Sequence, residues 1–312
     1  MTIKAGLIGS PLKRSLSPRL FELFSSRPGE RYSYTLLETR AAALERTLNL
    51  IKREGWAGFN VTLPLKETIL PSLDTLSPEA QAIGAVNAVR LRNGKLKGCN
   101  TDAAALRLAL REAGCRLRGR ACVIWGAGGA ARTAAWVLAR GGAGSVRIHN
   151  RTASRAAALV KYFSKMFPRT EFSAHKFTRV PDGTATVFVN ATPLGMYAPP
   201  AVNLKFSGPP GSFYLDLAYT RGLSPFLRDR DGTIISGLDL LIYQALKSAE
   251  LYGGRPIKAA KMGGTPSRKI THRRAPLKRF PLRLRHTIPC YGDYASIVEL
   301  KNCLKARLLS GK

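Results

Sequence analysis

Acidic residues are scarce in this 312-residue chain, which has 19 Asp and Glu against 50 Lys and Arg and a formal net charge of +31. Residues 251–292 contain no acidic residue, and residues 263–312 carry twelve basic side chains against two acidic ones, a net charge of +10. Such a charge favours polyanionic partners but does not specify a fold. Apolar residues make up 45% of the sequence, which is ordinary for a globular protein and argues against wholesale disorder.

The sequence also has no uninterrupted run of 18 apolar residues, and its apolar start leads into Pro11, Lys13 and Arg14 rather than into a signal-peptide cleavage site. We therefore predict a cytoplasmic protein without a membrane span. The five cysteines are widely spaced, with no CxxC motif and no histidine at metal-ligand spacing. This pattern predicts a reducing compartment and no metal site.

Short apolar runs alternate with helical patterns along the first hundred residues. Strand-like runs occur at 3–8, 32–37 and 57–61, and helical spacing of apolar residues separates them. This alternation predicts a parallel α/β sheet. Asn93-Gly94, between two further apolar runs, is typical of a β-hairpin turn.

A second series of elements begins near Asp102. A short apolar strand at 121–125 leads directly into a glycine-rich string at 126–130 and then into a helical pattern. In such a turn the backbone amides and the helix N-terminus face a pyrophosphate. The spacing differs from the common G-x-G-x-x-G, with Ala131 at the third glycine position. We predict a dinucleotide site in a Rossmann-like, doubly wound domain.

The next strand, at 146–149, ends without the acidic residue that binds the ribose of NAD. Asn150-Arg151-Thr152 follows instead, with Arg155 one helical turn later. A carboxylate there repels a 2′-phosphate, whereas a guanidinium binds it through two hydrogen bonds. The sequence thus favours NADP over NAD. The alternative is that both arginines are ordinary surface charges of a very basic chain.

Polar residues stand where the strands of the first part of the chain end, in the strings SLSP (15–18), NVTLPLK (60–66), GAVN (84–87) and NTD (100–102). In open α/β sheets these carboxyl ends form the ligand crevice. Hydroxyls, an amide, a lysine and an aspartate suit a small polyhydroxylated carboxylate. Any one string alone is equally compatible with a helix cap or a turn.

Together with GAGGAAR, NRT, NATPLGM and GLDLLIYQ, these strings resemble the shikimate dehydrogenase family in order and spacing over residues 1 to about 262. The resemblance implies NADP-dependent interconversion of shikimate and 3-dehydroshikimate in the shikimate pathway, the route to chorismate and the aromatic amino acids. It implies an N-terminal α/β substrate domain at 1–102, to which 236–262 returns, and a Rossmann-like NADP domain at 103–235. The cleft between the two domains holds the site.

The same resemblance implies roles for individual residues. Lys66 and Asp102 are the catalytic acid–base pair. The substrate is held through its carboxylate by Ser15 and Ser17 and through its ring hydroxyls by Thr62, Asn87, Asp102, Tyr219 and Gln244. The NADP site is lined by Gly126, Ala127, Gly128, Gly129, Ala130, Asn150, Arg151, Thr152, Arg155, Thr192, Leu217 and Gly237.

The chain departs from the family pattern at several places. Phe21 stands where the family usually has His, and Ala105 where it usually has Gly; we interpret both as packing variations. The match fades near Met262, so we expect 263–312 to be a basic, mostly unstructured extension with one short helix at 294–309. This reading implies loss of the closing helix that family members pack on the first domain.

Two alternatives stay open at this point. A pocket discriminates poorly against one added hydroxyl, so an enzyme that also accepts quinate is the nearest rival. In a different class, the basic extension favours loose, salt-sensitive association with polyanions, although it has no motif for specific nucleic-acid recognition. We expect a monomer or a homodimer.

Overall fold

The computed structural model describes residues 2–25, 31–178, 181–196, 206–220, 223–254 and 294–310. Within these ranges the chain forms two six-stranded sheets and nine α-helices. None of the helices in the described ranges is long and apolar enough to cross a membrane.

The first sheet has the strand order β2-β1-β3-β5-β6-β4. Strands β2, β1 and β3 are parallel, whereas β5 runs antiparallel to both β3 and β6. Asn93 and Gly94 join β5 to β6 with φ angles of 51° and 74°, as a tight hairpin turn requires, which confirms the predicted hairpin. The strands are β1 (Thr2–Gly9), β2 (Arg31–Glu38), β3 (Gly58–Val61), β4 (Thr75–Leu76), β5 (Ala88–Arg92) and β6 (Lys95–Cys99).

Five α-helices accompany this sheet. Helix α2 illustrates the pattern, because Leu44, Leu48 and Ile51 are spaced to share one face and are all buried. The helices are α1 (Ser17–Ser25), α2 (Leu44–Arg53), α3 (Leu65–Thr68), α4 (Pro78–Ile83) and α5 (Thr101–Glu112), with 3₁₀ turns at Ala41–Ala43 and Leu70–Ser72.

The second sheet is entirely parallel, with the strand order β12-β11-β10-β7-β8-β9. This is the strand order of a doubly wound dinucleotide-binding sheet. From β7 the chain adds strands first on one side (β8, β9) and then on the other (β10, β11, β12), and such folds bind ligands at this switch point between β7 and β10. The predicted Rossmann-like fold is therefore confirmed. Its elements are β7 (Ala121–Trp125), α6 (Gly129–Arg140), β8 (Ser145–Asn150), α7 (Ala153–Met166), β9 (Glu171–Lys176), β10 (Val187–Asn190), β11 (Phe213–Asp216) and β12 (Thr233–Ile235).

Helix α8 (Gly237–Gly253) joins the cores of the two sheets. Leu240 and Tyr243 are buried in the core that contains the second sheet. Leu241 and Ile242 are buried with α1 and β1 of the first. The helix also packs along α5, so both helices lie between the sheets and determine how the carboxyl edges face each other.

Helix α9 (Tyr294–Ser310) confirms the short helix predicted at 294–309 and corrects the expectation that the closing helix is lost. Leu300 and Leu304 are buried against α1 and α8, and Leu308 packs beside them. Their spacing of four residues forms an apolar stripe that the basic composition of the segment had obscured. Residues 263–293, the rest of that predicted extension, lie outside the described residues.

The two departures from the family pattern are core positions, as expected. Phe21 is fully buried on α1, and its ring stacks on Tyr34 with centroids 4.1 Å apart. Ala105 is buried on α5. A phenylalanine contributes more apolar contact here than the usual histidine and places no ionisable group in the core.

Candidate active site

The carboxyl edge of the first sheet brings together the polar strings SLSP, NVTLPLK, GAVN and NTD. Strands β1 and β3 are parallel neighbours, so the loop that follows each one opens at the same edge. Ser15 and Ser17 lie after β1, at the start of α1, and Thr62 directly follows β3. Asn87 and Asp102 reach this edge from the start of β5 and the end of β6, since β5 runs antiparallel to both its neighbours.

Lys66 and Asp102 form an ion pair at the centre of this edge. Lys66 Nζ donates to Asp102 Oδ2 over 2.5 Å, and each side chain is about one-fifth exposed. Lys66 lies on the short helix α3, and Asp102 lies in the first turn of α5, where the helix dipole favours a carboxylate. Two residues 36 positions apart therefore form an ion pair that solvent can still reach.

Asn87 holds the carboxylate of this pair in place. Its Nδ2 donates to Asp102 Oδ1 over 2.8 Å and to Thr101 Oγ1 over 2.9 Å. Its Oδ1 accepts from the backbone amide of Thr101 over 2.6 Å. Both oxygens of Asp102 are thus engaged, one by Lys66 and the other by Asn87, which fixes the orientation of the carboxylate toward the lysine.

A buried polar network lies behind the pair and reaches α8. Asn60 Nδ2 donates to Ser248 Oγ over 2.8 Å and to Gln244 Oε1 over 3.4 Å. The Ser248 hydroxyl also lies 3.2 Å from Thr101 Oγ1. Because a buried polar group is costly unless it is hydrogen-bonded, this chain of contacts fixes α8 against the sheet edge and sets the position of Gln244.

Tyr34 completes this network from β2. Its hydroxyl donates to Asn60 Oδ1 over 2.9 Å. Burial raises the pKa of the Tyr34 hydroxyl well above its ordinary value, and a hydrogen bond with Ser17 only partly opposes that rise. Tyr34 therefore stays a neutral donor and links Asn60 to the start of α1, where Ser15 and Ser17 lie.

The glycine-rich turn occupies the carboxyl end of β7. Gly126 has φ +113°, and a Cβ built on it would lie 2.8 Å from the carbonyl oxygen of Ala191, so a side chain does not fit there. Ala127 is buried, Gly128 caps α6, and Gly129 and Ala130 begin that helix. Helix α6 consequently begins directly at the turn, with its N-terminal backbone amides at the carboxyl end of β7.

The end of β8 presents two exposed arginines. Asn150 ends the strand and its Nδ2 donates to the carbonyl oxygen of Thr152 over 2.9 Å, which shapes the turn into α7. Arg151 and Arg155 are both exposed beside this turn. Arg155 Nη2 lies 3.7 Å from Glu67 Oε1, so its guanidinium reaches from the second sheet to α3.

The loops after β10 and β11 are tied together by a buried carboxylate. Asp216 Oδ1 accepts from Asn190 Nδ2 over 2.8 Å and from the amide of Ala218 over 2.9 Å, while the Ser224 hydroxyl donates to its other oxygen. Burial raises the pKa of Asp216 to about 6, against the opposing effect of these hydrogen bonds. Asn190 in turn accepts from the hydroxyl of Thr192 over 2.6 Å.

Leu217 and Gly237 complete this wall of the cleft. The amide of Leu217 donates to the carbonyl oxygen of Asn190 over 2.9 Å. A Cβ on Gly237 would lie 2.2 Å from the carbonyl oxygen of Ala218, so only glycine lets α8 begin this close to the loop. Tyr219, by contrast, packs on the core around α1 and α8.

These features fit an NADP molecule by an independent criterion. A Cβ on Gly128 would have no heavy atom closer than 4.0 Å, where Arg155 Nη2 and Glu67 Oε1 lie, so neither backbone nor side chain crowds the residue that precedes α6. A pyrophosphate needs this close approach to the backbone, and a 2′-phosphate needs cations such as the exposed Arg151 and Arg155. The predicted cofactor residues all lie at the carboxyl edge of one parallel sheet.

Several residues of the site received no role from the sequence. Asn60 and Thr101 belong to the NVTLPLK and NTD strings, but nothing in the neighbouring sequence shows that they contact α8. Ser248 follows Gln244 by four residues, which places both on one face of α8, and this spacing was the available signal. Glu67, beside Lys66, is a further residue whose contacts only the structure shows.

Comparison with known proteins agrees with this geometry. Residues 7–89 match the family model described as the shikimate dehydrogenase substrate binding domain. The chain is 36% identical over 270 residues to the shikimate dehydrogenase (NADP(+)) of Moorella thermoacetica, a match that covers 82% of this chain and 90% of that protein.

Solved structures are similar over the same extent. Shikimate 5-dehydrogenase from Thermus thermophilus, in complex with NADP(H) and shikimate, has a TM-score of 0.68 and 34% identity, covering 81% of this chain and 94% of that one. The ligand-free 5-ketofructose reductase of a Gluconobacter species has a TM-score of 0.70 and 28% identity, covering 82% and 95%. Proteins of this fold are therefore named for more than one substrate, and the side chains of the site, rather than the fold, determine substrate specificity.

Proposed function

Because this chain belongs to the shikimate dehydrogenase family, we propose that it catalyses the NADP-dependent interconversion of shikimate and 3-dehydroshikimate in the shikimate pathway. The observation that carries the proposal is the Lys66–Asp102 ion pair, 2.5 Å long, at the sheet edge that faces the glycine-rich turn. Proton transfer and hydride transfer have to occur at adjacent atoms of one substrate, and the closeness of Lys66 to the turn proposed to bind the cofactor supports this proposal.

Lys66 moves the proton in this reaction. NADP supplies the hydride acceptor for alcohol oxidation and, when reduced, the hydride donor for ketone reduction. In the ketone-reducing direction the Lys66 ammonium donates a proton to the carbonyl oxygen, which becomes the hydroxyl. In the reverse direction the neutral amine takes that proton back. Asp102 accepts the hydrogen bond from Lys66 Nζ and so keeps the nitrogen aimed into the cleft.

The polar groups that hold the substrate come from the edge of the first sheet, from the loop after β11 and from α8. Ser15 and Ser17 bind its carboxylate. The ring hydroxyls bind to Thr62, Asn87, Asp102, Tyr219 and Gln244. The hydrogen bonds of Asn87 and of the buried Asn60 support this assignment, since they orient Asp102 and Gln244 before any ligand arrives.

The cofactor would be held by residues at the carboxyl edge of the second sheet. The glycine-rich turn at 126–130 would bind its pyrophosphate, and the arginines of 150–155 would bind its 2′-phosphate. Thr192, Leu217 and Gly237 would line the rest of the NADP site. We divide the chain accordingly into a substrate domain at 1–102, with 236–262 returning to it, and an NADP domain at 103–235, because the strands of each sheet lie within those ranges.

Initial rates of nicotinamide reduction, followed at 340 nm, test this function. Shikimate and quinate are each offered with NADP and with NAD. Activity with shikimate and NADP alone supports the whole assignment, whereas comparable rates with quinate identify the broader-specificity alternative. Absence of turnover in all four combinations, from protein shown to be folded, contradicts the proposed reaction.

Loose association with polyanions is a second candidate activity, favoured by the net charge of +31 and the +10 within residues 263–312. Binding of heparin and of duplex DNA, measured at 50 and 300 mM salt, tests it. A steep loss of affinity with salt and no preference between the two supports electrostatic association. We also propose a cytoplasmic location, which the scattered, unpatterned cysteines support.

A further inference from the structure

Glu67 lies on α3, beside the first sheet, and its carboxylate reaches arginines on the helices of the second sheet. It directly follows Lys66 on α3. Its Oε1 lies 3.7 Å from Arg155 Nη2, and its Oε2 lies 3.9 Å from Arg132 Nη1. One acidic side chain of the first sheet's layer thus stands between two arginines of the second.

This contact occupies the space in front of the glycine-rich turn. A Cβ built on Gly128 would lie 4.0 Å from both Arg155 Nη2 and Glu67 Oε1. A phosphate that approaches the turn therefore meets a carboxylate of its own charge sign. Moreover, Arg155, one of the two cations proposed for the 2′-phosphate, is already engaged by that carboxylate.

The two arginines differ in how firmly they are held. Arg132 Nε donates to the carbonyl oxygen of Ile83 over 2.9 Å, its guanidinium lies 4.5 Å above the ring of Tyr162, and its side chain is 16% exposed. Arg155 is 60% exposed. Its distance to Glu67 exceeds that of a hydrogen bond. Arg155 is consequently the partner that a competing anion can take from Glu67.

We propose that Glu67 competes with the 2′-phosphate of NADP for Arg155 and thereby weakens cofactor binding and promotes cofactor release after turnover. The proposal rests on the proposed function, because it assumes that the glycine-rich turn and Arg155 bind NADP. It makes Glu67 a residue that sets cofactor affinity and specificity, although it lies on the substrate side, one residue from Lys66. Removing its charge tightens binding, and more so for ligands that carry a 2′-phosphate.

Calorimetric titration of the full-length protein with adenosine 2′,5′-bisphosphate tests this competition without turnover. The ligand has the 2′-phosphate but lacks the nicotinamide and the pyrophosphate. We expect Glu67→Gln to bind it about three- to fivefold more tightly, the range typical of one exposed ion pair, and the gain to shrink at high salt. ADP, which lacks the 2′-phosphate, gains less. Glu22→Gln, an exposed residue on α1 paired with Arg19, makes the same change in net charge and serves as control.

The outcomes separate this inference from the proposed function. If the unaltered protein binds neither the bisphosphate nor NADPH, the cofactor assignment fails and this inference fails with it. If it binds both and Glu67→Gln binds the bisphosphate no more tightly than Glu22→Gln does, Glu67 does not compete for Arg155 and the inference alone is overturned. Circular dichroism of each variant verifies that it is folded before the titrations are compared.

Discussion

Gly129, the first residue of α6, lies directly against Lys66: a Cβ built on Gly129 would be 2.7 Å from the Cβ of the lysine and 3.5 Å from that of Ala85. The turn proposed to bind the cofactor is therefore in van der Waals contact with the residue proposed to move the proton. This contact holds the two halves of the chemistry at a fixed separation, and catalysis depends on such separations to within about 1 Å.

Gly129→Ala tests this contact. The added methyl group would lie too close to the Cβ of Lys66, so α3 or α6 has to shift. We expect kcat to fall by about tenfold or more and the melting temperature to drop. Gly128→Ala is the matched comparison for stability, because its methyl group has no heavy atom closer than 4.0 Å. Equal melting temperatures for the two variants would show that the close contact does not constrain the fold.

Lys66→Ala tests the proposed acid–base role. Loss of the proton carrier should lower kcat by about 10²- to 10⁴-fold, whereas the dissociation constant for NADPH, measured by its fluorescence, should change less than about twofold. Lys4→Ala provides the control, since Lys4 is exposed on β1 and donates to the carbonyl oxygen of Glu54. Parallel losses of kcat and NADPH affinity in Lys66→Ala would instead indicate a structural lysine.

Arg155→Gln tests the choice of cofactor. Without the guanidinium, the 2′-phosphate loses a charge-assisted partner, and we expect KM for NADP to rise by about tenfold or more while KM for NAD changes less than about twofold. Arg53→Gln, an exposed arginine at the end of α2, is the control for net charge. An equal rise in both KM values would assign Arg155 to the shared part of the two cofactors.

Asp216 makes a pH-dependent contribution to stability whose sign follows from its raised pKa. The ordinary value of 3.8 becomes about 6 in the folded protein, so the native state holds this proton more tightly than the unfolded chain does. The contribution to the free energy of unfolding is largest below about pH 4 and decreases as pH rises through 6. Between pH 5 and 7 the ionisation of Asp216 should lower the free energy of unfolding by about 1 kcal/mol.

Asp216→Asn removes that dependence, because an amide does not ionise and the Ser224 hydroxyl can rotate to accept a hydrogen bond from it. Urea unfolding at pH 5 and pH 7 measures the effect. From pH 5 to pH 7 the free energy of unfolding should fall by about 1 kcal/mol more in the unaltered protein than in the variant. The same pH dependence in both proteins would mean that Asp216 is ionised throughout the interval.

Lys301 is a nearly buried cation that ties α9 to the helices between the sheets. Its Nζ lies 2.7 Å from Glu112 on α5 and 3.4 Å from Asp239 on α8, and its side chain is 6% exposed. Lys301→Met leaves both carboxylates partly uncompensated and should lower the free energy of unfolding by about 2 kcal/mol. Lys161→Met, at an exposed site on α7, should change it by less than about 0.5 kcal/mol. Urea denaturation at pH 7 compares the two.

Local features of the chain were predictable from the sequence. The run at 121–125, the glycines that follow it and the Asn93-Gly94 turn depend on backbone preferences of a few adjacent residues, and each forms where it was expected. The alternation of strands and helices likewise predicted the Rossmann-like fold. The site residues that the family resemblance implied lie at the carboxyl edges of the two sheets, and their roles remain predictions for the experiments above.

Interactions between distant segments were decided by the tertiary structure alone. Asn60 contacts Ser248 across 188 positions of sequence, and Glu67 reaches Arg155 only because α3 and α7 approach the same turn. In α9, high charge concealed an apolar stripe whose burial requires α1 and α8 as partners. Sequence patterns report backbone preference and periodicity, which are local, whereas these contacts depend on packing between elements that only the folded chain brings together.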